Sequence, residues 1–260
     1  MIPQEIINRL TNKISVSVER VLENIRDGSI ETEPNITDRL LANLERDFEP
    51  ERNYNQRDKI TLRTRTLRDR GANASENIYG ADLATLLDID LIDYQLQKGF
   101  LSQSKWVPDP KLFITSSIEI IYKGGGLFSR SRIKQPNVDN EKYGQIAFDV
   151  TKADYKRMYR QCEEMLKVTS DSFIFIYSSD DLYVIPASAV ISAPHYNKRQ
   201  KYYCKNFKLF MTDYLKSFIG DITLKGISDH DFEQIKERAN SKNVLQFQII
   251  EDRDPPLFGS

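Results

Sequence analysis

The chain has 260 residues, 40% of them hydrophobic and 29% charged, with a net charge of -1, so it can bury a core but has no global basic field. Any nucleic-acid binding must therefore come from local patches. No apolar run approaches the about 20 residues that cross a bilayer, the N-terminus has no secretory-signal pattern, and Cys162 and Cys204 form no CxxC; the expectation is a cytoplasmic protein without disulfide framework or zinc finger.

In chain order, residues 1–27 predict an amphipathic helix, because Ile6, Ile7, Leu10, Ile14, Val18, Val21, Leu22 and Ile25 recur at helical spacing. The run 27–29 ends it. A second helix begins near Pro34, with Ile36, Leu40, Leu41, Leu44 and Phe48 on one face. Residues 49–58 are polar and read as a loop. A strand is expected over 60–67, where Arg63, Arg65 and Arg68 alternate with Thr or apolar residues, and 70–73 is a turn signal. Two further strands are expected over 81–89 and 99–107, joined by about ten residues as an antiparallel pair. Residues 108–150, with Gly124, Gly125 and Gly126 inside, read as irregular.

Thr151 and Asp154 form a capping box for a helix whose buried stripe is Tyr155, Met158, Tyr159, Cys162, Met165 and Leu166. Strands over 173–177 and 182–185 flank a turn at 178–181. A helix is expected over 205–218, with Phe207, Phe210, Met211, Tyr214, Leu215 and Phe218 inward and Gly220 as its cap. Ser228 caps another helix through Ala239, and 244–250 alternates as a last strand. The order is α/β with a mixed sheet. It divides into an N-terminal helical extension, 1–32, a core, 33–195, and a C-terminal helix and strand elaboration, 196–260, packed on that core as one unit.

The chemistry lies in Glu76-Asn-Ile-Tyr-Gly-Ala-Asp82 and in Gly99-Phe-Leu-Ser-Gln103-Ser-Lys105. Asp82 opens one strand. Gln103 and Lys105, two apart on the next, share a sheet face. A carboxylate, an amide oxygen and an amine thus converge. Phosphodiester cleavage wants that set: a hard cation takes oxygen ligands, polarises the phosphate and lowers the pKa of bound water, while a lysine offsets transition-state charge.

This arrangement resembles the PD-(D/E)XK, or restriction-endonuclease-like, nuclease superfamily in its Gln variant. The wording around Asp82 and Gln103-Ser-Lys105 is similar to Mrr-like restriction endonucleases and to nuclease effectors of anti-phage defence. The resemblance covers residues 33–190. It implies an α/β/α sandwich around a mixed sheet, with N- and C-terminal helical elaborations, and Mg²⁺ or Mn²⁺ as cofactor. It implies Asp82, Gln103 and Lys105 as catalytic residues. It implies Asp82, Gln103 and the Ser104 carbonyl at the metal, with Glu33 and Glu76 as further ligands and Gln161 in support. Gln103 is neutral where the family's acidic form carries a charge, which weakens the site unless Glu33 or Glu76 contributes.

The expected activity is a Mg²⁺-dependent deoxyribonuclease acting on double-stranded DNA. The resemblance implies the effector of a prokaryotic defence system, with a sensor or helicase subunit or a second copy of the chain as the expected partner. The rivals are a weak or inactive scaffold or nucleic-acid-binding subunit of the same fold, and an RNase. Lys123, Arg130, Arg132 and Lys134 around the triple glycine are candidate phosphate contacts. Lys198, Arg199, Lys201, Lys205 and Lys208 interleave with Tyr196, Tyr202, Tyr203 and Phe207, either as a nucleic-acid grip or as core aromatics between solvated lysines. His195 and Cys204 lack a third partner for nucleophilic catalysis. Trp106 is expected in the core.

Overall fold

A computed structural model of the chain describes residues 2–30, 32–48, 60–68, 80–114, 143–193, 195–225 and 241–251, with the backbone alone at 60–68, 113–114, 143 and 242. Helix α1, Gln4–Arg26, buries the predicted stripe from Ile6 to Ile25. It ends where Gly28 takes φ 76 and Ser29 N–H reaches back to the Asn24 carbonyl at 2.9 Å, a left-handed closure that glycine adopts without Cβ strain. Helix α2, Glu33–Asp47, starts with Pro34 in its first turn. Arg20 and Ser17 of α1 bind Asp47 at 2.5 and 2.7 Å and fix the two helices together.

The sheet has nine strands among the described residues: β1 Ile60–Arg68, β2 Ala81–Leu91, β3 Tyr94–Trp106, β4 Lys111–Ile114, β5 Tyr143–Asp149, β6 Ser172–Tyr177, β7 Leu182–Pro186, β8 Arg199–Asn206 and β9 Ser241–Glu251. Their spatial order is β1-β9-β2-β3-β6-β7-β8-β5-β4. Two pairs, β2 with β9 and β3 with β6, are parallel and the rest antiparallel, so the mixed α/β sheet is observed. Helix α3, Lys152–Val168, supplies the crossover between β3 and β6, and the Thr151 hydroxyl accepts from Asp154 N–H at 3.1 Å as the capping box requires. Helix α4, Ala187–Ile191, lies on the same face as α3. Its Ala187 and Val190 join Met158, Cys162 and Met165 over Ala84, Leu86, Leu101, Ile174 and Ile176. On the other face, α1, α2 and helix α5, Phe207–Leu215, cover Leu83, Leu87, Phe100, Phe173 and Phe175. Phe100 is the hub there, with Phe210 at 5.1 Å and Tyr214 at 4.8 Å, both edge-on.

Several sequence expectations change. β3 begins at Tyr94, not 99, and a two-residue turn at Ile92 and Asp93 replaces the ten-residue connection. The polar run at the tip stays in the ladder because its acids and amides face each other. Gln97 donates to Asp88 at 3.1 Å and Gln95 to Asp90 at 2.8 Å. The stretch 108–150 contains β4 and β5. Lys205 and Asn206 belong to β8, since Asn206 caps α5 by accepting Leu209 N–H at 3.0 Å. α5 stops at Leu215, Ser217 takes the left-handed cap at φ 67, and Phe218 is 78% exposed. Gly220, at φ 115, serves another purpose: a Cβ there would come within 2.8 Å of Lys98 Cδ. Of the α3 stripe, Tyr159 and Leu166 are half-buried, and so is Trp106. The expected loop at 49–58, the turn at 70–73 and the helix from Ser228 to Ala239 lie outside the described residues. No helix among the described residues is long and apolar enough to cross a membrane.

From the segment after residue 195, β8 and β9 share the sheet with strands of the segment before it. β8 pairs with β7 and β5, and β9 lies between β1 and β2.

Candidate active site

Three of the sequence candidates meet at one end of the β2–β3 pair. The ladder register begins at Leu83 opposite Ser102, and just beyond it Asp82 turns its carboxylate onto β3. Asp82 Oδ2 accepts Ser104 N–H at 2.8 Å and the Gln103 side-chain amide at 2.5 Å. Its Oδ1 accepts no hydrogen bond among the described residues. Gln103 is 3% exposed, and its Oε1 is buried without a hydrogen-bond partner among the described residues, a costly state for an amide oxygen. Burial holds the Asp82 carboxyl above the ordinary aspartate value. Ser104 N–H, Lys105 and Gln103 oppose that rise, and Glu33 adds to it.

Period two puts Gln103 and Lys105 on the face covered by α3, and Ser104 and Trp106 on the face covered by α2. Glu33, the first residue of α2, comes round the end of the sheet. Its Oε2 lies 3.3 Å from Lys105 Nζ, and its Oε1 accepts Trp106 N–H at 3.2 Å. The Lys105 side chain is 14% exposed and that of Glu33 33%, so the ion pair sits in a partly sheltered rim.

Behind the site is a set of hydroxyls that sequence reasoning missed. Thr37, one turn after Glu33, shares a hydrogen bond of 2.8 Å with Ser104 and donates to the Glu33 carbonyl at 3.2 Å. The buried Tyr177 hydroxyl faces the same two side chains without reaching hydrogen-bond geometry, and burial pushes its pKa up. The available signal was the spacing of Thr37 from Glu33, which puts both on one helix face.

Gln161 is half-buried on α3, and its buried Oε1 has no hydrogen-bond partner among the described residues. Its neighbour Cys162 lies close enough to Lys105 to feel its charge, while burial pushes that thiol up to about 12. Cys204 donates to the Gly144 carbonyl at 3.6 Å and is pushed by burial up to about 11, which leaves no thiolate nucleophile there. Glu76, Lys123, Arg130, Arg132 and Lys134 lie outside the described residues.

The donors present are the Asp82 carboxylate, the Gln103 amide oxygen and the Ser104 carbonyl, all oxygens of the kind Mg²⁺ and Mn²⁺ take. The orphaned Gln103 Oε1 is an acceptor that a cation would satisfy, so the residues fit such an ion in kind. The described residues hold no cluster of three or more His, Cys, Asp or Glu placed to hold a metal. Glu33 has both oxygens engaged, by Lys105 and by Trp106 N–H. No protein-family model, curated protein or solved structure matches the chain.

Proposed function

We propose that this chain is a metal-dependent endonuclease with a restriction-endonuclease-like core of the PD-(D/E)XK type in its Gln form, hydrolysing phosphodiester bonds of DNA. The observation that carries the reading is the meeting of Asp82, Gln103 and Lys105 at one sheet end, with Glu33 against Lys105. Asp82, Gln103 and the Ser104 carbonyl would hold Mg²⁺ or Mn²⁺. The ion, when bound, supplies Lewis-acid polarisation of the phosphate and a water of lowered pKa. Lys105 sets a positive charge beside the phosphate oxygens, where negative charge grows as the bond breaks. Glu33 orients that ammonium. Gln161 supports the site from α3.

A site with one carboxylate among its donors binds metal weakly, and this supports control from outside. We read the chain as the nuclease effector of a prokaryotic anti-phage system, cytoplasmic, released by a sensor or helicase partner or by self-association. The neutral Gln103 also favours a second reading, a nuclease-fold scaffold with little or no activity.

A substrate panel tests these readings. Duplex DNA, single-stranded DNA and RNA are incubated with Mg²⁺ or Mn²⁺ and the wild type, Asp82→Ala or Lys105→Ala. Cleavage of DNA by the wild type alone among the three supports the proposal. Preferential cleavage of RNA makes the chain an RNase of the same fold, and no cleavage of any substrate favours the scaffold.

A further inference from the structure

The ladder between β2 and β3 stops at Leu83 and Ser102, while the ladder between β3 and β6 runs on to Trp106 and Tyr177. Val107 N–H continues that second ladder onto the Tyr177 carbonyl at 2.9 Å. Alternate amides of a strand point to opposite sides, so Ser104 and Trp106 turn their N–H groups towards the side that β2 has left. Carboxylates take the place of strand carbonyls there. Ser104 N–H donates to Asp82 Oδ2 at 2.8 Å, and Trp106 N–H to Glu33 Oε1 at 3.2 Å.

The two acids differ in what else they hold. Asp82 takes its second donor, the Gln103 amide, on the same oxygen. Glu33 instead spreads its two oxygens over two donors, with Oε2 at 3.3 Å from Lys105 Nζ. An ammonium and a backbone N–H converging on one anion are the donors that proteins turn to the phosphates of a nucleic-acid backbone. A phosphodiester presents two non-bridging oxygens and one negative charge, as a carboxylate does. Glu33 thus occupies a place built for an anion, and both side chains of the ion pair are partly exposed.

The carboxylate is free to leave without moving its helix. Glu33 is the first residue of α2, and one turn on, Thr37 ties that end of the helix to β3 through its own bond of 2.8 Å to Ser104. The Thr37 hydroxyl also donates to the Glu33 carbonyl at 3.2 Å, so the Glu33 backbone stays in place while its side chain turns out.

We propose that Lys105 Nζ and Trp106 N–H form a cradle for the non-bridging oxygens of a DNA phosphodiester, and that Glu33 fills this cradle as an internal phosphate mimic until a substrate phosphate displaces it. The inference rests on the nuclease reading in naming DNA as the ligand. It adds to that reading a second phosphate donor, Trp106 N–H, and a competitor carried by the chain itself. The exchange involves hydrogen bonds and an ion pair alone: the phosphate takes over both donors, and the Glu33 carboxylate passes into water.

Trp106 is the only tryptophan of the chain, so protein labelled with ¹⁵N-tryptophan shows one backbone amide signal, that of the proposed donor. Binding of a short blunt DNA duplex is measured in EDTA, so that it is read without cleavage. Saturating duplex is expected to shift the Trp106 amide signal. Glu33→Ala is expected to bind the duplex about tenfold tighter than the wild type, since the mimic holds one ion pair and one hydrogen bond. Glu33→Gln keeps a neutral oxygen for Trp106 N–H and is expected to gain less; it decides by direction alone if Glu33→Ala does not fold. The gain should need Lys105: in a double-mutant cycle, Glu33→Ala added to Lys105→Ala should change affinity by less than about twofold. Equal or weaker binding by the Glu33 variants overturns the proposal, as does a gain that persists in full without Lys105, or an amide signal that the duplex leaves in place. Cleavage in Mn²⁺ is measured separately with the wild type. Cleavage together with unchanged affinity in the Glu33 variants removes the cradle and keeps the nuclease reading, and duplex binding as expected without cleavage in any metal does the reverse.

Discussion

Asp82 is held by two donors from β3, Ser104 N–H and the Gln103 amide, yet burial still keeps its carboxyl above the ordinary aspartate value. A bound cation would reverse that balance, because a nearby positive charge favours the ionised form. Metal binding should therefore weaken as the pH falls from neutrality towards the raised Asp82 value, sooner than for an ordinary aspartate. For stability the sign runs the other way. A raised folded-state value means that stability is lost as the pH rises through it. Asp82→Asn is thus expected to lose Mn²⁺ affinity in calorimetry while its Tm at pH 7, without metal, stays equal or rises. A fall of several degrees would show that the carboxylate itself holds the fold. The motif Gln103-Ser-Lys105 was legible because period two fixes which side chains share a face. The use of its middle residue was not, since the partner of Ser104 comes from α2, 67 positions away in sequence. Thr37→Val and Ser104→Ala should each cost about 1 kcal/mol of stability. In a double-mutant cycle they should couple by about 0.5 kcal/mol or more, measured by denaturant unfolding.

The β2–β3 hairpin was read from sequence at its site end and misread at its tip. Asp90, Gln95 and Gln97 look like loop composition, and pairing across the strands, Gln97 with Asp88 and Gln95 with Asp90, keeps them in the ladder. Midway along β3, Lys98 is 2% exposed on the core face, beside Phe100 in the alternation. Its ammonium donates to the carbonyls of Tyr214, at the end of α5, and of Ile219, and it lies 4.6 Å from the Tyr214 ring centroid. Burial lowers its pKa to about 8, against a smaller opposing effect of Asp171. The unfolded chain then holds this proton to higher pH than the folded one, so stability contributed by Lys98 rises with pH between about 8 and its unfolded value near 10.4. Lys98→Met should remove that slope from urea unfolding measured across this range. An unchanged slope would assign the pH dependence to other groups.

The position of β9 in the whole molecule was the least legible feature. Alternation predicted a strand over 244–250, and periodicity carries no information on its neighbours. It pairs in parallel with β2 and antiparallel with β1, which precede it by more than a hundred residues. The β2 edge next to Asp82 is therefore completed from the end of the chain: Ala81 pairs with Ser241, and the Asn243 amide donates to the Asp82 carbonyl at 3.3 Å. Truncation after residue 240 should expose the β2 edge and the apolar row Val244, Leu245, Phe247 and Ile249 leaves behind. The expected result is loss of the cooperative thermal transition in circular dichroism, together with loss of the site. A truncated chain that melts as sharply as the full one would refute this role for β9.

The nuclease proposal is tested most directly by single-turnover nicking of a supercoiled plasmid in Mn²⁺ with enzyme in excess, comparing the wild type with Lys105→Ala. The expected result is slow, metal-dependent nicking by the wild type, abolished by EDTA, and at least about a hundredfold less by the variant, in keeping with the effect of removing one transition-state charge donor. Equal nicking by both proteins, or none by the wild type, would contradict it.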